Sequence, residues 1–475
     1  MRPGQLFPLR GLVLVGVCLT FTLAGCKDLT GSPGLPAGTP DPSTYNTPAG
    51  AIEMRNAAVF EFEQALPQYV VDAGLLTDEL EDPNTGAVAA SQGVSDPLDE
   101  RILPEGTSGG IHDYQNFQGV REFANQAIGA LATYDTAAAN RDSAAVLRGE
   151  LYALEGYTEI MLADLFCSGV PLSTLDFQKD FTYAPSSTTT QVYYAALAKF
   201  DTALTVAAAS DNVVNLARVG RGRAWLDLGQ VVPGAYDSAA AAVAAVPEGF
   251  QKTYSIDWIY SFGSQTSEPS DVLNSVATVS DREGVNGLPF LSSGDPRSAV
   301  DTVATQFETP NNVFVELTVP LTFPVKYSTA LSSNSYASFT VADWIEARLI
   351  QAEAAWHGVA TGQGSWLDQL NALRTNAISP ELPQLADPGT PAAQVQLLFQ
   401  ERAYWLFLTG HRQGDLRRLL RQYGQYSAFR SQQQVYPAGP YLAPGAGVYG
   451  TDVTVPIPTQ EYANPDYHGC LDRKP

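Results

Sequence analysis

The sequence predicts a mainly α fold in which paired helices pack against a loop-rich region with short strands, and three observations carry that prediction. Leu397, Leu398, Glu401, Tyr404, Trp405 and Leu408 fall at i, i+1, i+4, i+7, i+8 and i+11, which is one helical face. Trp225-Leu-Asp-Leu228-Gly229, followed by the small residues Ala239 and Ala240, has the form of a helix-pair repeat. Between Phe250 and Thr340 the texture changes to Ser, Thr, Asn, Gly, Val and aromatics, so a loop-rich insertion is expected over about 250–340. With 475 residues the chain can bury one large core or two intimately packed ones.

The chain begins with Arg2 and Arg10 and an apolar run from Gly11 to Ala24, the layout of a secretory signal over residues 1–25. That run is too short to span a bilayer comfortably. Its end, Leu23-Ala24-Gly25-Cys26, resembles a bacterial lipobox, which implies acylation of Cys26; an ordinary cleaved signal is the other reading. Residues 26–48 are rich in Pro, Gly and Thr and suit a flexible tether. The domain is then expected over 49–475. The segment to be removed holds two Arg and no acid, so the mature chain carries 25 basic against 50 acidic residues, a net charge of −25. Such a balance argues against nucleic acid and against adsorption to an anionic lipid surface.

Helical spacing resumes at Ala51, with Met54, Ala58, Phe62 and Leu66 on one stripe and Pro67 as an expected kink. The stretch from Glu81 to Gly110 is long for a connector and is a candidate binding surface. Phe117, Val120, Ala124, Ala127 and Leu131 define a second helix. A third covers Ala144 to Phe166, stopped by Gly169 and Pro171, and a fourth Thr190 to Ala208. The Trp225–Gly229 motif fits the opening of a tetratricopeptide repeat, with Tyr236 displaced about four residues by an insertion at Val231-Val-Pro-Gly234. A further helical pair is expected from Asp343 to Ala377, and a short strand at Val313 to Val319.

The stretch from Glu401 to Arg421 reads as two helices joined at Gly410, where a left-handed residue is wanted. A carboxylate on a core face is costly unless paired. Glu401 is therefore expected to pair with the corner's Arg412, Arg417 and Arg418, with Asp415 as a second acid, in an ionic lock that sets the angle between the helices. His411 and Asp415, four residues apart, could face a metal, but no third ligand is nearby and no metal is expected.

The pattern Glu401-Arg402, aromatic and aliphatic residues, Gly410-His-Arg412, then Asp415-Leu-Arg-Arg418 resembles the C-terminal signature of the SusD/RagB family of outer-membrane nutrient-binding lipoproteins. The turn at Gly169-Val-Pro171, Gly287-Leu-Pro-Phe290, Asp295-Pro-Arg297, and the tail Val455-Pro-Ile-Pro458 with Glu461 and Asn464-Pro465 resemble the same family. The resemblance implies a SusD-like helical fold, a lipid-anchored outer-membrane address facing the cell exterior, and a SusC-like TonB-dependent transporter as partner. It also implies capture of an oligosaccharide or peptide without catalysis and without a cofactor.

Cys18 leaves with the signal and Cys26 would carry lipid, so Cys167 and Cys470 remain. Two cysteines in an exported chain suggest one disulfide, two buried free thiols being the alternative. The four histidines are scattered, and no Gly-x-x-x-x-Gly-Lys-Ser/Thr phosphate-binding loop occurs. Sugars stack apolar C–H faces on aromatic rings, so the ligand-contact candidates are Trp258, Tyr260, Phe262, Tyr327 and Tyr336 in the insertion. Two other functions stand beside the receptor reading. One is a glycosidase on an all-helical barrel, which needs two carboxylates roughly 5–9.5 Å apart across a cleft. The other is a tetratricopeptide protein–protein scaffold.

Overall fold

A computed structural model describes residues 46–82, 97–106, 110–134, 143–177, 181–256, 277–308, 314–327, 336–441 and 447–473, which lie in one compact unit. Helix α1 (Pro48–Leu75) starts where the Thr47 hydroxyl accepts a hydrogen bond from the Gly50 amide at 2.9 Å, with Pro48 at the first helical position. It continues through Pro67. It is followed by α2 (Ile111–Thr133), α3 (Ala144–Leu165), α4 (Thr189–Val206), α5 (Asp211–Asp227), α6 (Ala235–Val243), α7 (Trp344–Trp356) and α8 (Trp366–Asn376). Each of these helices packs on the next in chain order. That succession is the stacked helix-pair arrangement expected from the repeat motif. In the α5–α6 pair the signature glycine has a steric reason. A Cβ on Gly229 would stand 2.5 Å from the Tyr236 hydroxyl. That hydroxyl in turn donates to Gln422 Oε1 at 2.9 Å.

The strands are short and all paired antiparallel in twos. β1 (Leu80–Glu81) pairs with β7 (Thr278–Val279), β2 (Val170–Pro171) with β5 (Ser186–Ser187), and β3 (Thr174–Leu175) with β4 (Phe181–Thr182). β6 (Gln251–Ile256) pairs with β10 (Ala337–Asp343), Ala337 opposite Ile256 and Asp343 opposite Gln251, with a bulge between Thr340 and Ala342. β8 (Val300–Glu308) and β9 (Phe314–Pro324) pair antiparallel, and β9 covers the expected strand from Phe314 on, Val313 lying outside the described residues.

Two last helices, α9 (Pro391–Trp405) and α10 (His411–Tyr423), form the corner. Gly410 takes a φ of +78°, and a Cβ there would lie 2.3 Å from Tyr69 Cε1 of α1. Glycine is required at this position for both reasons. The Tyr69 hydroxyl donates to the Gly410 carbonyl at 2.9 Å and fixes α1 to the turn. Leu408, a non-glycine with φ +49°, is held in place from both sides. Its amide donates to Glu79 Oε1 and its carbonyl accepts from the Tyr327 hydroxyl, each at 2.9 Å.

The ion pairs of this corner correct the sequence expectation. Glu401 does not meet Arg412, Arg417 or Arg418. It accepts from Arg297 at 2.8 Å and from Arg374 at 2.6 Å. Successive residues of a helix are turned about 100° around its axis, so Glu401 faces α8 and the Asp295–Arg297 turn while its neighbour Arg402 faces α10. Arg402 grips Asp415 with two bonds, at 2.8 and 2.9 Å, and Arg418 donates to the same carboxylate at 2.8 Å. The acid that joins the two helices is therefore Asp415. Arg412 goes to Asp78 at 2.6 and 2.8 Å, and Arg417 donates to the backbone carbonyls of Ala163 and Asp164.

The tail runs along the end of α3, where Cys167 N donates to Val455 O and Val455 N to Leu165 O, both at 2.9 Å. Cys167 and Cys470 are joined in a disulfide with Cα atoms 5.8 Å apart and a sequence separation of 303. No described helix is long and apolar enough to cross a membrane.

Asp415→Ala leaves Arg402 and Arg418 without the carboxylate that bridges them, and is expected to cost roughly 3–5 kcal/mol in urea denaturation. Glu401→Ala should cost less, because Arg297 keeps Asp295 and Arg374 keeps the Pro383 carbonyl. A larger loss from Glu401→Ala would reverse the assignment. Thiol titration of the denatured, unreduced mature chain should find residues 167 and 470 blocked. Reduction should lower stability by at most ~5 kcal/mol by the chain-entropy estimate.

Candidate functional site

A cleft of ≈ 420 Å³ opens between β10, the end of β9 and the α9–α10 corner. It falls within the roughly 300–1,000 Å³ of small-molecule sites. The alternation of β10 builds one wall. Ala337, Phe339 and Val341 are buried in the core, while Ser338 and Thr340 lie on the cleft side. Gln251 of β6 adds its amide, the Nε2 donating to Thr340 Oγ1 at 2.7 Å. Opposite stand Trp405, Leu406 and Thr409. The Trp405 ring carries the Arg297 guanidinium at 4.8 Å. Its indole N–H has no hydrogen-bond partner.

The charged groups of the cleft are each hydrogen-bonded within the protein. Glu346 takes two bonds from Arg223, at 2.7 and 2.8 Å, and lies 3.2 Å from His411 Nε2. Burial alone would raise its carboxyl, but Arg223 and then His411 hold it down at about 2. His411 is pushed below its ordinary value by burial and by Arg223, with Nδ1 2.8 Å from the Thr409 hydroxyl. It does not join Asp415 as a metal ligand, and no group of three His, Cys, Asp or Glu among the described residues could hold a metal ion. Asp343 caps α7 by accepting from the Glu346 amide at 2.8 Å, and burial lifts its carboxyl to about 6. The Lys326 ammonium donates to the Phe407 carbonyl, and burial lowers it to about 8 against the pull of Glu79 and Asp343.

The aromatic candidates divide three ways. Tyr327 belongs to the cleft lining, but it is buried and its hydroxyl is used by Leu408. Tyr336 is 58% exposed and stands outside the cleft lining. Trp258, Tyr260 and Phe262 lie outside the described residues, as do Cys26 and parts of the Glu81–Gly110 stretch. Sequence reasoning missed Gln251, Ser338, Thr340 and Trp405. The alternation Ala337-Ser-Phe-Thr-Val341 was the available signal, since it marks a strand with one polar face.

Behind the cleft lies a second gathering of titratable groups. Glu79, Glu81 and Glu283 are each at most 3% exposed. Burial pushes Glu79 and Glu81 up to about 8, and raises Glu283 as well, with Asp99 adding repulsion at Glu81 and Glu283. Arg101, equally buried, gives its Nε and Nη1 protons to the carbonyls of Asp452 and Pro437. An acid whose folded value is raised stabilises the fold fully below its unfolded value and loses that contribution as pH rises through the folded one. Thermal midpoints should therefore fall between pH 5 and pH 8. Glu81→Gln should flatten that limb; an unchanged slope in the variant would remove Glu81 as a cause.

No protein-family model and no curated protein matches the chain. Solved structures do. NanU of B. fragilis is 14% identical with a TM-score of 0.59, over 92% of this chain and 100% of that one. A SusD superfamily protein from Parabacteroides distasonis is 13% identical with a TM-score of 0.61, over 89% and 98%. Surface glycan-binding protein A from Bacteroides uniformis is 14% identical with a TM-score of 0.59, over 88% and 99%. The fold is SusD-like.

Proposed function

We propose that this chain is a SusD/RagB-type cell-surface lipoprotein that captures an oligosaccharide or peptide and delivers it to a SusC-like TonB-dependent transporter in the outer membrane. The observation that supports this reading is the likeness in fold, which extends over about nine-tenths of the chain to solved structures that include a SusD superfamily protein and a protein named as a surface glycan-binding protein. The lipobox-like Leu23–Cys26 supplies the anchor, and the Pro- and Gly-rich residues 26–48 the reach. Binding without turnover fits the cleft, where Glu346 is committed to Arg223 and Asp343 to the start of α7. A glycosidase needs one acid free to donate and another free to attack or to activate water.

Cys26→Ser should move the protein from the outer-membrane fraction to the soluble one, and continued pelleting with membranes would sink the anchor. Calorimetry of the purified mature chain against oligosaccharides and peptides should detect binding, with no released product by chromatography. Trp258→Ala or Tyr260→Ala should weaken that binding by ~1–3 kcal/mol, the scale of one ring stacked on an aromatic side chain in nucleic-acid complexes.

A further inference from the structure

The lining of the cleft includes Glu346, His411, Asp343 and Lys326, and the first three are engaged with the frame. Glu346 takes two bonds from Arg223 and lies 3.2 Å from His411 Nε2. Asp343 closes the first turn of α7 through the Glu346 amide at 2.8 Å. Lys326 is different. It follows the end of β9, is exposed as a residue, and pairs with no carboxylate among the described residues. Its ammonium is turned inward, donating to the Phe407 carbonyl over the rings of Tyr327 and Phe407, 5.0 and 5.7 Å from their centres. An ammonium has three donors, so two N–H remain for a guest.

A cation that lines a cleft without an acid of its own is complemented by a guest carboxylate, the stronger kind of hydrogen-bond acceptor. The uncharged groups narrow the guest further. The Ser338 hydroxyl is on the exposed side of β10 and makes no hydrogen bond among the described residues. Thr340 uses its oxygen as acceptor for Gln251, which leaves its own O–H. These side chains stand on the face of a strand and not at its edge, so a peptide main chain would find no ladder to join. Hydroxyls on a ring would find both donors and acceptors. A volume of ≈ 420 Å³, near the lower end for ligand sites, suits the end of a chain and not a long segment of it.

We propose that this cleft takes an acidic saccharide end, with the ring carboxylate on Lys326 Nζ and ring hydroxyls on Ser338 and Thr340. It rests on the receptor reading above and names a ligand class for one site within it. The groups that face Lys326 set its response to pH. Burial lowers Lys326 to about 8, lifts Glu79 behind it to about 8 and lifts Asp343 of β10 to about 6. Glu346 of α7 is held at about 2 by Arg223 of α5 and by His411 of α10, itself below its ordinary value. A ring carboxylate of ordinary acidity stays ionised from pH 6 upward. Affinity should therefore rise from pH 7 to pH 6, as Asp343 takes up a proton, and fall from pH 7 to pH 9, as Lys326 loses its proton and Glu79 becomes charged.

The test compares rings of one shape and different charge. Titrations of the mature chain at pH 7, followed by saturation-transfer NMR, would set D-glucuronate and D-galacturonate against D-glucose and D-galactose, with tri-alanine as a carboxylate that lacks ring hydroxyls. At least one uronate should bind at least about tenfold more tightly than its neutral counterpart. Lys326→Gln, whose amide can still donate to the Phe407 carbonyl, should bring that pair within about twofold of each other and flatten the profile between pH 7 and pH 9. Ser338→Ala should weaken the uronate while leaving the profile in place. If Lys326→Gln has no thermal transition, the hexose comparison and the pH profile of the unaltered chain decide. Equal or tighter binding of the neutral ring overturns the proposal. So does uronate affinity that is unchanged from pH 7 to pH 9 or in folded Lys326→Gln, tighter binding of tri-alanine than of either uronate, or no uronate binding. Calorimetry with neutral oligosaccharides and longer peptides separates the two readings: binding there without uronate binding removes the cleft assignment and leaves the receptor standing, while absence of any glycan or peptide binding removes both.

Discussion

Asp415 is the carboxylate on which the last two helices turn. It is 3% exposed, gripped by Arg402 from α9 and by Arg418 from its own helix. Those bonds hold its carboxyl far below the usual carboxylate range despite burial. The pair does more than set one interhelical angle, because the other arginines of α10 find their partners in several other parts of the chain. Arg412 reaches Asp78 beyond α1. Arg417 reaches the carbonyls at the end of α3, and Arg418 reaches Glu353 of α7, with Asp227 of α5 at 3.4 Å. Arg421 stands 3.9 Å from the same Asp227. Helix α10 is thus a hub whose polar spokes run to α3, α5 and α7 and to Asp78 beyond α1. Burying so many charges is tolerable only as a network in which every head group has partners, and removing any one of them strands another.

Placement of the cleft follows from that hub. The turn at Leu406–Gly410 cannot relax, since Gly410 is pinned against Tyr69 and Leu408 between Glu79 and Tyr327. Trp405 and Thr409 on one side of this turn and His411 on the other are therefore presented to β10 at a fixed height. His411 closes the arrangement by approaching Glu346, which Arg223 of α5 already holds. A site built this way draws its rigidity from the core and not from its own loops.

The helices were legible because the 3.6-residue period is written in apolar side chains, and residues such as Phe117, Val120, Ala124, Ala127 and Leu131 are all buried as that period requires. The charged corner was legible as a corner, since arginines and acids in an apolar frame demand pairing. Its wiring was not. Arg297 lies 104 residues from Glu401 and Arg374 lies 27 away, and nothing local distinguishes them from Arg412 or Arg418 as partners. The cleft was illegible for a different reason. Ser338 and Thr340 look like the solvent face of any strand, and Trp405 fits an apolar helical stripe as well as it fits a binding wall. Choosing aromatics by composition in the insertion picked out Tyr327, whose hydroxyl serves the fold.

The division between the paired charges of the frame and the hydroxyls and amide that β10 and β6 turn to the cleft has one physical origin. An arginine or carboxylate placed in the core must find its complement there, so the groups that tie β10, α5, α7 and α10 together are consumed in pairs before any ligand arrives. Hydroxyls and amides face a weaker demand. At the exposed edge of a strand they can stay hydrated when the cleft is empty and exchange water for a ligand hydroxyl at little net cost.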